Sequence, residues 1–269
     1  MNLDNIFNRL WIDYITQNPS AGKIHDLFVT EGESVVNDHI AFRTIDYSEL
    51  NIDVLAQPFI SHGYIAKGEY IFKEKHLFAR HYELAGDKKA PRIFISQLVL
   101  SECSPFLQKT LKTAFEKTGL GKTSAEKLIF SGSLFNPLSY SVYSRLREES
   151  EYAAWFYVFG FRANHFTVSI NDLKKYNDIR LVNDLLTKNG FVLNTSGGDI
   201  KGTPADMLMQ SSTLADSVKV NFVEGAFEVP CCYYEFAQRF IDSNGQLYNG
   251  FVAKSADKIF ESTDFHRKK

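Results

Sequence analysis

Three short segments of the sequence place chemically capable side chains on one strand face each. In NDHIAFRT, residues 37–44, the two-residue period of an extended chain puts His39, Ala41 and Arg43 on one side and Ile40, Phe42 and Thr44 on the other. The second side is apolar and suits a core. The first aligns an imidazole and a guanidinium, with α-carbons roughly 13 Å apart at ~3.3 Å per residue. A small dianion has room along that line, its keto-acid end at a metal and its distal carboxylate gripped by Arg43 through paired hydrogen bonds.

In ANHFTVSIN, His165, Thr167 and Ser169 share a face opposite Phe166, Val168 and Ile170. In CCYYEFAQRF, Tyr233, Glu235, Ala237 and Arg239 alternate with Tyr234, Phe236, Gln238 and Phe240. A carboxylate set among aromatic residues in mid-strand is expensive to bury without a cation, which makes Glu235 a candidate ligand beside His39 and His165. Two imidazoles and a carboxylate leave one side of a six-coordinate ion open. That is the arrangement of Fe(II) oxygenases, where a 2-oxo acid takes two positions and dioxygen a third. The same donors serve catalytic zinc, so the ligand types leave both metals open. The remaining histidines read as structural: His25 in a helical region, His62 before Gly63 in a turn, His76 and His81 flanking a strand, and His266 in a basic, solvated tail.

Elements that could position these groups recur in order. Phe7, Leu10, Trp11 and Tyr14 have helical spacing, and the helical pattern resumes after a break at residues 19–22. The strand NDHIAFRTI is followed by a helical run from Ser48 closed by Gly63, then the strands YIAKGEYIF, HLFARHYEL and PRIFISQLVL. After a helical stretch the order returns: ANHFTVSIN, a helix from Leu173 to Asn189 ended by Gly190, then GFVLNT, DMLMQSSTLA, VKVNFVE and CCYYEFAQRF. Both blocks open with a short polar residue before the histidine, Asp38-His39 and Asn164-His165. The pattern predicts an α+β protein whose paired β-α-β-β-β modules form a metal-binding cup. Its parts are N-terminal helices (1–34), a first module (35–101), a helical connection (102–160) and a second module with tail (161–269), in one compact domain.

The 269 residues, 44% hydrophobic and 23% charged, can bury one large core or two modest ones. A net charge of -2 gives no reason to expect a nucleic-acid partner. No run approaches the ~18 apolar residues of a membrane span. Asp4 and Asp13 in the first helical pattern argue against a signal peptide. Three cysteines, Cys231 and Cys232 adjacent, make no disulfide framework, so a reducing cytoplasm is expected.

At the segments named first, the sequence resembles the 2-oxoadipate dioxygenase/decarboxylase (hydroxyglutarate synthase) family of the vicinal-oxygen-chelate superfamily, from NDHIAFRT to YYEFAQRF. The family's first metal-binding His and substrate-binding Arg match His39 and Arg43. Its second His matches His165 in NHFTVSI, and its metal-binding Glu matches Glu235. LMQSST followed by YYEFAQR is also similar to the paired C-terminal strands of 4-hydroxyphenylpyruvate dioxygenase, whose Glu there binds iron. The resemblance implies Fe(II) as cofactor, and dioxygen and a 2-oxo diacid as substrates. The implied reaction is decarboxylation with hydroxylation of 2-oxoadipate to D-2-hydroxyglutarate, a step of lysine breakdown. Three further residues are candidate substrate contacts: Gln97, taken as the first-module counterpart of Glu235, Ser211 in MLMQSST, and Arg80. Two rival expectations are a zinc-dependent hydrolase or isomerase on the same cup, and a non-catalytic small-molecule binding protein.

Overall fold

Two amphipathic helices begin the chain, α1 (Leu3–Gln17) and α2 (Pro19–Thr30), as expected, but the break is Asn18 alone: residues 19–22, expected to interrupt the pattern, form the first turn of α2. Asn2 caps α1 by accepting from the Asn5 amide, and Pro19 sits in the first turn of α2, where no N–H is needed. This is a computed structural model that describes residues 1–118, 124–133, 135–253 and 258–259; the basic run from His266 lies outside them. No helix among the described residues is long and apolar enough to cross a membrane.

The first module comprises β1 (Asn37–Ile45), α3 (Ile52–Ile60), β2 (Tyr64–Phe72), β3 (Leu77–Leu84) and β4 (Arg92–Leu98). Helices α4 (Pro105–Thr118), α5 (Ala125–Leu128), α6 (Tyr140–Glu149) and α7 (Glu151–Phe159) follow. The second module has β5 (Ala163–Ser169), α8 (Ile179–Lys188), β6 (Leu208–Ser212), β7 (Ser217–Phe222), β8 (Gly225–Pro230) and β9 (Glu235–Arg239). Seven strands form one sheet in the order β2-β3-β4-β1-β5-β9-β6. The modules meet where β1 pairs antiparallel with β5, and each first strand pairs in parallel with its module's last, β1 with β4 and β5 with β9. The expected α+β architecture of paired modules is thus present.

Several boundaries move, for identifiable reasons. Helix α3 starts at Ile52, not near Ser48, because Asn51 caps it by accepting from the Val54 amide. Helix α8 starts at Ile179, not Leu173: the Glu33 carboxylate accepts from the amides of Lys174 and Lys175 at 2.7 and 2.6 Å, diverting that backbone from a helix. The GFVLNT segment contributes a single bridge, Leu193 to Thr213, instead of a strand. VKVNFVE belongs to a separate hairpin, β7 with β8. In CCYYEFAQRF the ladder begins only at Glu235, since Cys231 and Tyr234 spend their amides on Asp216 and Thr213 of the loop between β6 and β7.

One sheet face carries Ile40, Phe42, Ile93, Ile95, Phe166 and Phe236, all nearly inaccessible to solvent. Trp11 and Tyr14 of α1 pack on Phe166 with ring centroids 5.1 and 5.0 Å away, and Phe59 of α3 packs on Phe42 at 5.5 Å. Each fully buried side chain of this size contributes about 1.5–3 kcal/mol. The opposite face is left for the cup. Helix α7, buried from Tyr152 to Phe159, anchors beside it: the Tyr152 hydroxyl donates to the carbonyls of Ser96 and Thr44 at 2.7 and 3.0 Å.

Candidate metal centre

The register carries His39, Thr167 and Glu235 across three adjacent strands on one face: His39 lies opposite Thr167 in β5, and Thr167 opposite Glu235 in β9. His165, opposite Ala41, completes the group. All three candidate ligands are buried, and one donor atom from each lies within 4.8 Å of the others. His39 Nε2 is 3.4 Å from His165 Nε2 and 3.6 Å from Glu235 Oε1, and His165 Nε2 is 3.2 Å from Glu235 Oε2. Donors about 2.1 Å from one ion and cis to each other would be roughly 3 Å apart, so the group fits a single ion.

Two bulges explain how both imidazoles are aimed. In the β1–β5 ladder, Asp38 and Asn164 are each the extra, unpaired residue. The bulge lets each side chain reach the next residue's ring: His39 Nδ1 lies 2.8 Å from Asp38 Oδ1, and His165 Nδ1 lies 3.0 Å from Asn164 Oδ1. With Nδ1–H donated outward, each Nε2 lone pair faces the centre, as in metal-binding histidines generally. The recurrent polar-His pair in the sequence was therefore a signal of ring orientation.

The charges also fit a cation. Burial pushes the Glu235 carboxyl up, partly opposed by His39 and the hydrogen bond from Gln210. Burial drives the His165 imidazole well below its ordinary value, and the charges of His39 and Arg43 push it the same way. An ion held here restores the carboxylate and uses the neutral imidazole. Burial works to raise Asp38, yet Arg239, His39 and Arg92 together hold it well below the usual carboxylate range. Arg239 grips Asp38 through Nε–H at 2.6 Å and an Nη2–H at 2.8 Å. Its Nη1 donates to the carbonyls of Tyr248 and Gly250 at 3.1 and 2.7 Å.

A small cavity is lined by the three candidate ligands with Phe94, Gln210, Phe251 and Ile259. Phe251 stands edge-on to His39 with centroids 4.8 Å apart and is equally close to Phe94. Arg43 lies on the same face of β1 as His39, buried, with its guanidinium carbon 4.9 and 4.8 Å from the rings of Tyr152 and Trp155. Burial lowers its pKa, while Tyr233 and Tyr152 work to raise it.

The other three candidate contacts point away from the cup. Gln97 lies opposite Thr44 in the ladder, on the helix side, and its Oε1 accepts from the Ile52 amide at the start of α3. Its counterpart is Gln238, which caps α8 through the Ile179 amide in the same way. The counterpart of Glu235 is Phe94, three residues earlier, because Ala41 faces Phe94 as Thr167 faces Glu235. Ser211 donates to Asn183 of α8 at 2.7 Å; its neighbour Gln210 holds the cup position and donates to Glu235 Oε1 at 2.5 Å. Arg80 pairs with Asp53 of α3 and Glu69 of β2 at 2.7 and 2.8 Å. Arg80→Ala is accordingly expected to keep turnover within about twofold and stability within about 1 kcal/mol. Steady-state kinetics and thermal unfolding check this, and a tenfold rise in KM would return Arg80 to the site.

Sequence reasoning overlooked Gln210, Phe94, Phe251 and the Asp38–Arg239 pair. Arg239 had a signal, since it shares the alternating face of Glu235. Phe251 had none, because it reaches the cup from an irregular segment.

Comparison with known proteins places the chain in a family. The sequence profile described as HGLS, 2-oxoadipate dioxygenase/decarboxylase, matches residues 12–248. A chloroplastic 2-oxoadipate dioxygenase/decarboxylase of Arabidopsis thaliana is 34% identical over 276 residues, spanning 93% of this chain and 74% of that one. The crystal structure of hydroxyglutarate synthase from Oryza sativa in complex with 2-oxoadipate superposes with a TM-score of 0.91 at 33% identity, over 98% of this chain and 92% of that one. A Shewanella frigidimarina protein, provisionally named a hydrolase, has a TM-score of 0.88 at 48% identity, over 94% and 98% of the two chains. A profile match across most of the chain, joined to a buried His-His-Glu group able to hold a metal, makes this protein an oxidoreductase belonging to the 2-oxoadipate dioxygenase/decarboxylase family.

Proposed function

We propose that the chain is an Fe(II)-dependent enzyme converting 2-oxoadipate and dioxygen to D-2-hydroxyglutarate and carbon dioxide, in lysine breakdown. His39, His165 and Glu235 hold the metal, and Arg43 receives the distal carboxylate. The observation that carries this reading is the convergence of two imidazoles and one carboxylate on a cup face that also bears a buried guanidinium. Iron, when bound, supplies the Lewis acidity and redox chemistry that dioxygen requires.

The remaining work belongs to the chain. Asp38 and Asn164 fix the two rings, and Gln210 orients the Glu235 carboxylate. Phe94 and Phe251 keep the cavity apolar and exclude water. The atoms balance: one oxygen of O2 ends in the new carboxylate, the other in the hydroxyl, and the original carboxyl leaves as carbon dioxide. Three unlinked thiols, Cys103, Cys231 and Cys232, suit a reducing compartment such as the cytoplasm.

The test is oxygen uptake by Fe(II)-loaded protein with a series of 2-oxo diacids, products identified by mass. One O2 consumed per 2-hydroxyglutarate formed supports the proposal. A zinc-loaded protein that turns over substrate without oxygen would replace it with the hydrolase or isomerase reading. Arg43→Ala is expected to raise KM for 2-oxoadipate at least 30-fold, from the 2 kcal/mol or more that a buried charge pair is worth, as an order-of-magnitude figure. Unchanged kinetics would remove the clamp.

A further inference from the structure

Tyr233 neighbours both the candidate ligand His165 and the buried Arg43. Its side chain is fully buried. Its ring lies against the His165 imidazole, centroids 4.8 Å and planes 28° apart. Ala215 and Ile259 pack with it. The Arg43 guanidinium lies beside its hydroxyl as a donor, but no acceptor for the phenol proton is found among the described residues; a buried donor without an acceptor commonly marks a ligand contact. Arg43 lies near enough for its charge to act on that hydroxyl, as does the charge of Glu235. The phenol thus has the His165 imidazole against its ring and the Arg43 guanidinium beside its hydroxyl.

We infer that the Tyr233 hydroxyl donates a hydrogen bond to the distal carboxylate of a bound 2-oxo diacid, beside Arg43, and so selects diacids over 2-oxo monoacids. This rests on the reading of Arg43 as the carboxylate clamp. A hydroxyl-to-carboxylate bond is among the stronger hydrogen bonds. A monoacid ending in a methyl group would leave the buried hydroxyl without an acceptor, and sites built around a hydrogen bond reject such analogues strongly.

The experiment measures equilibrium binding of 2-oxoadipate and 2-oxohexanoate to metal-loaded protein without oxygen, so that no turnover occurs. Tyr233→Phe keeps the ring against His165 and removes only the donor. Its affinity for 2-oxoadipate should fall about 10- to 100-fold, with 2-oxohexanoate within about twofold and metal content unchanged. The ratio of the two affinities is the deciding quantity, because impaired folding lowers both alike. If Tyr233→Phe leaves that ratio unchanged while Arg43→Ala lowers it, the tyrosine proposal fails and the clamp stands. If Arg43→Ala leaves it unchanged, both fall.

Discussion

Glu235→Gln is expected to cost at least about a thousandfold in turnover while leaving the metal-free protein as stable as its parent, or more so. The amide is nearly isosteric and can still accept from Gln210, which approaches Oε1. What disappears is the charge. Burial raises the Glu235 carboxyl in the metal-free fold. A carboxyl with a raised folded-state pKa is held without penalty while protonated, and it opposes folding once the pH rises above its unfolded value. At neutral pH the substitution removes that penalty. The ligand set then loses its only anion, and with it several kcal/mol of metal-centred charge stabilisation. Parent protein should unfold at higher temperature as Fe(II) is added, by the linkage of binding to folding, and Glu235→Gln should respond far less. A variant as responsive to metal as the parent would take Glu235 out of the site.

Arg239→Met is expected to have the largest effect on stability. It removes the bidentate partner of Asp38, whose side chain is 3% exposed and also holds His39 Nδ1. Breaking a buried pair from one side leaves an uncompensated charge, at a cost of about 3–5 kcal/mol. Arg92, 3.5 Å from Asp38, offsets part of this. Chemical denaturation should register the loss. Metal affinity should fall about 10- to 100-fold as the His39 ring loses its orientation. The double variant Asp38→Asn/Arg239→Met should regain some stability, because no buried anion remains, but not metal affinity. Additive losses in the double variant would show that the pair acts through packing instead.

The amino-acid sequence determined, by itself, which residues could share a strand face. The period of two in NDHIAFRT, ANHFTVSIN and YYEFAQRF put His39 with Arg43, isolated His165 from its apolar neighbours, and set Tyr233, Glu235 and Arg239 together. The repeated element order likewise implied two modules. Periodicity is a local property and survives without knowledge of partners. It cannot decide which face looks into the cup when both faces are buried, as in β4, where only Gln97 is even half-buried. The pairing of Gln97 with Glu235 and the choice of Ser211 as a substrate contact, with Gln210 overlooked, are both errors of parity. Only pairing with neighbouring strands assigns parity, because a one-residue shift reverses every side chain. The bulges at Asp38 and Asn164, the aromatic walls around Arg43 and the arrival of Phe251 over His39 depend on contacts between segments remote in sequence. They come into being only when the sheet closes.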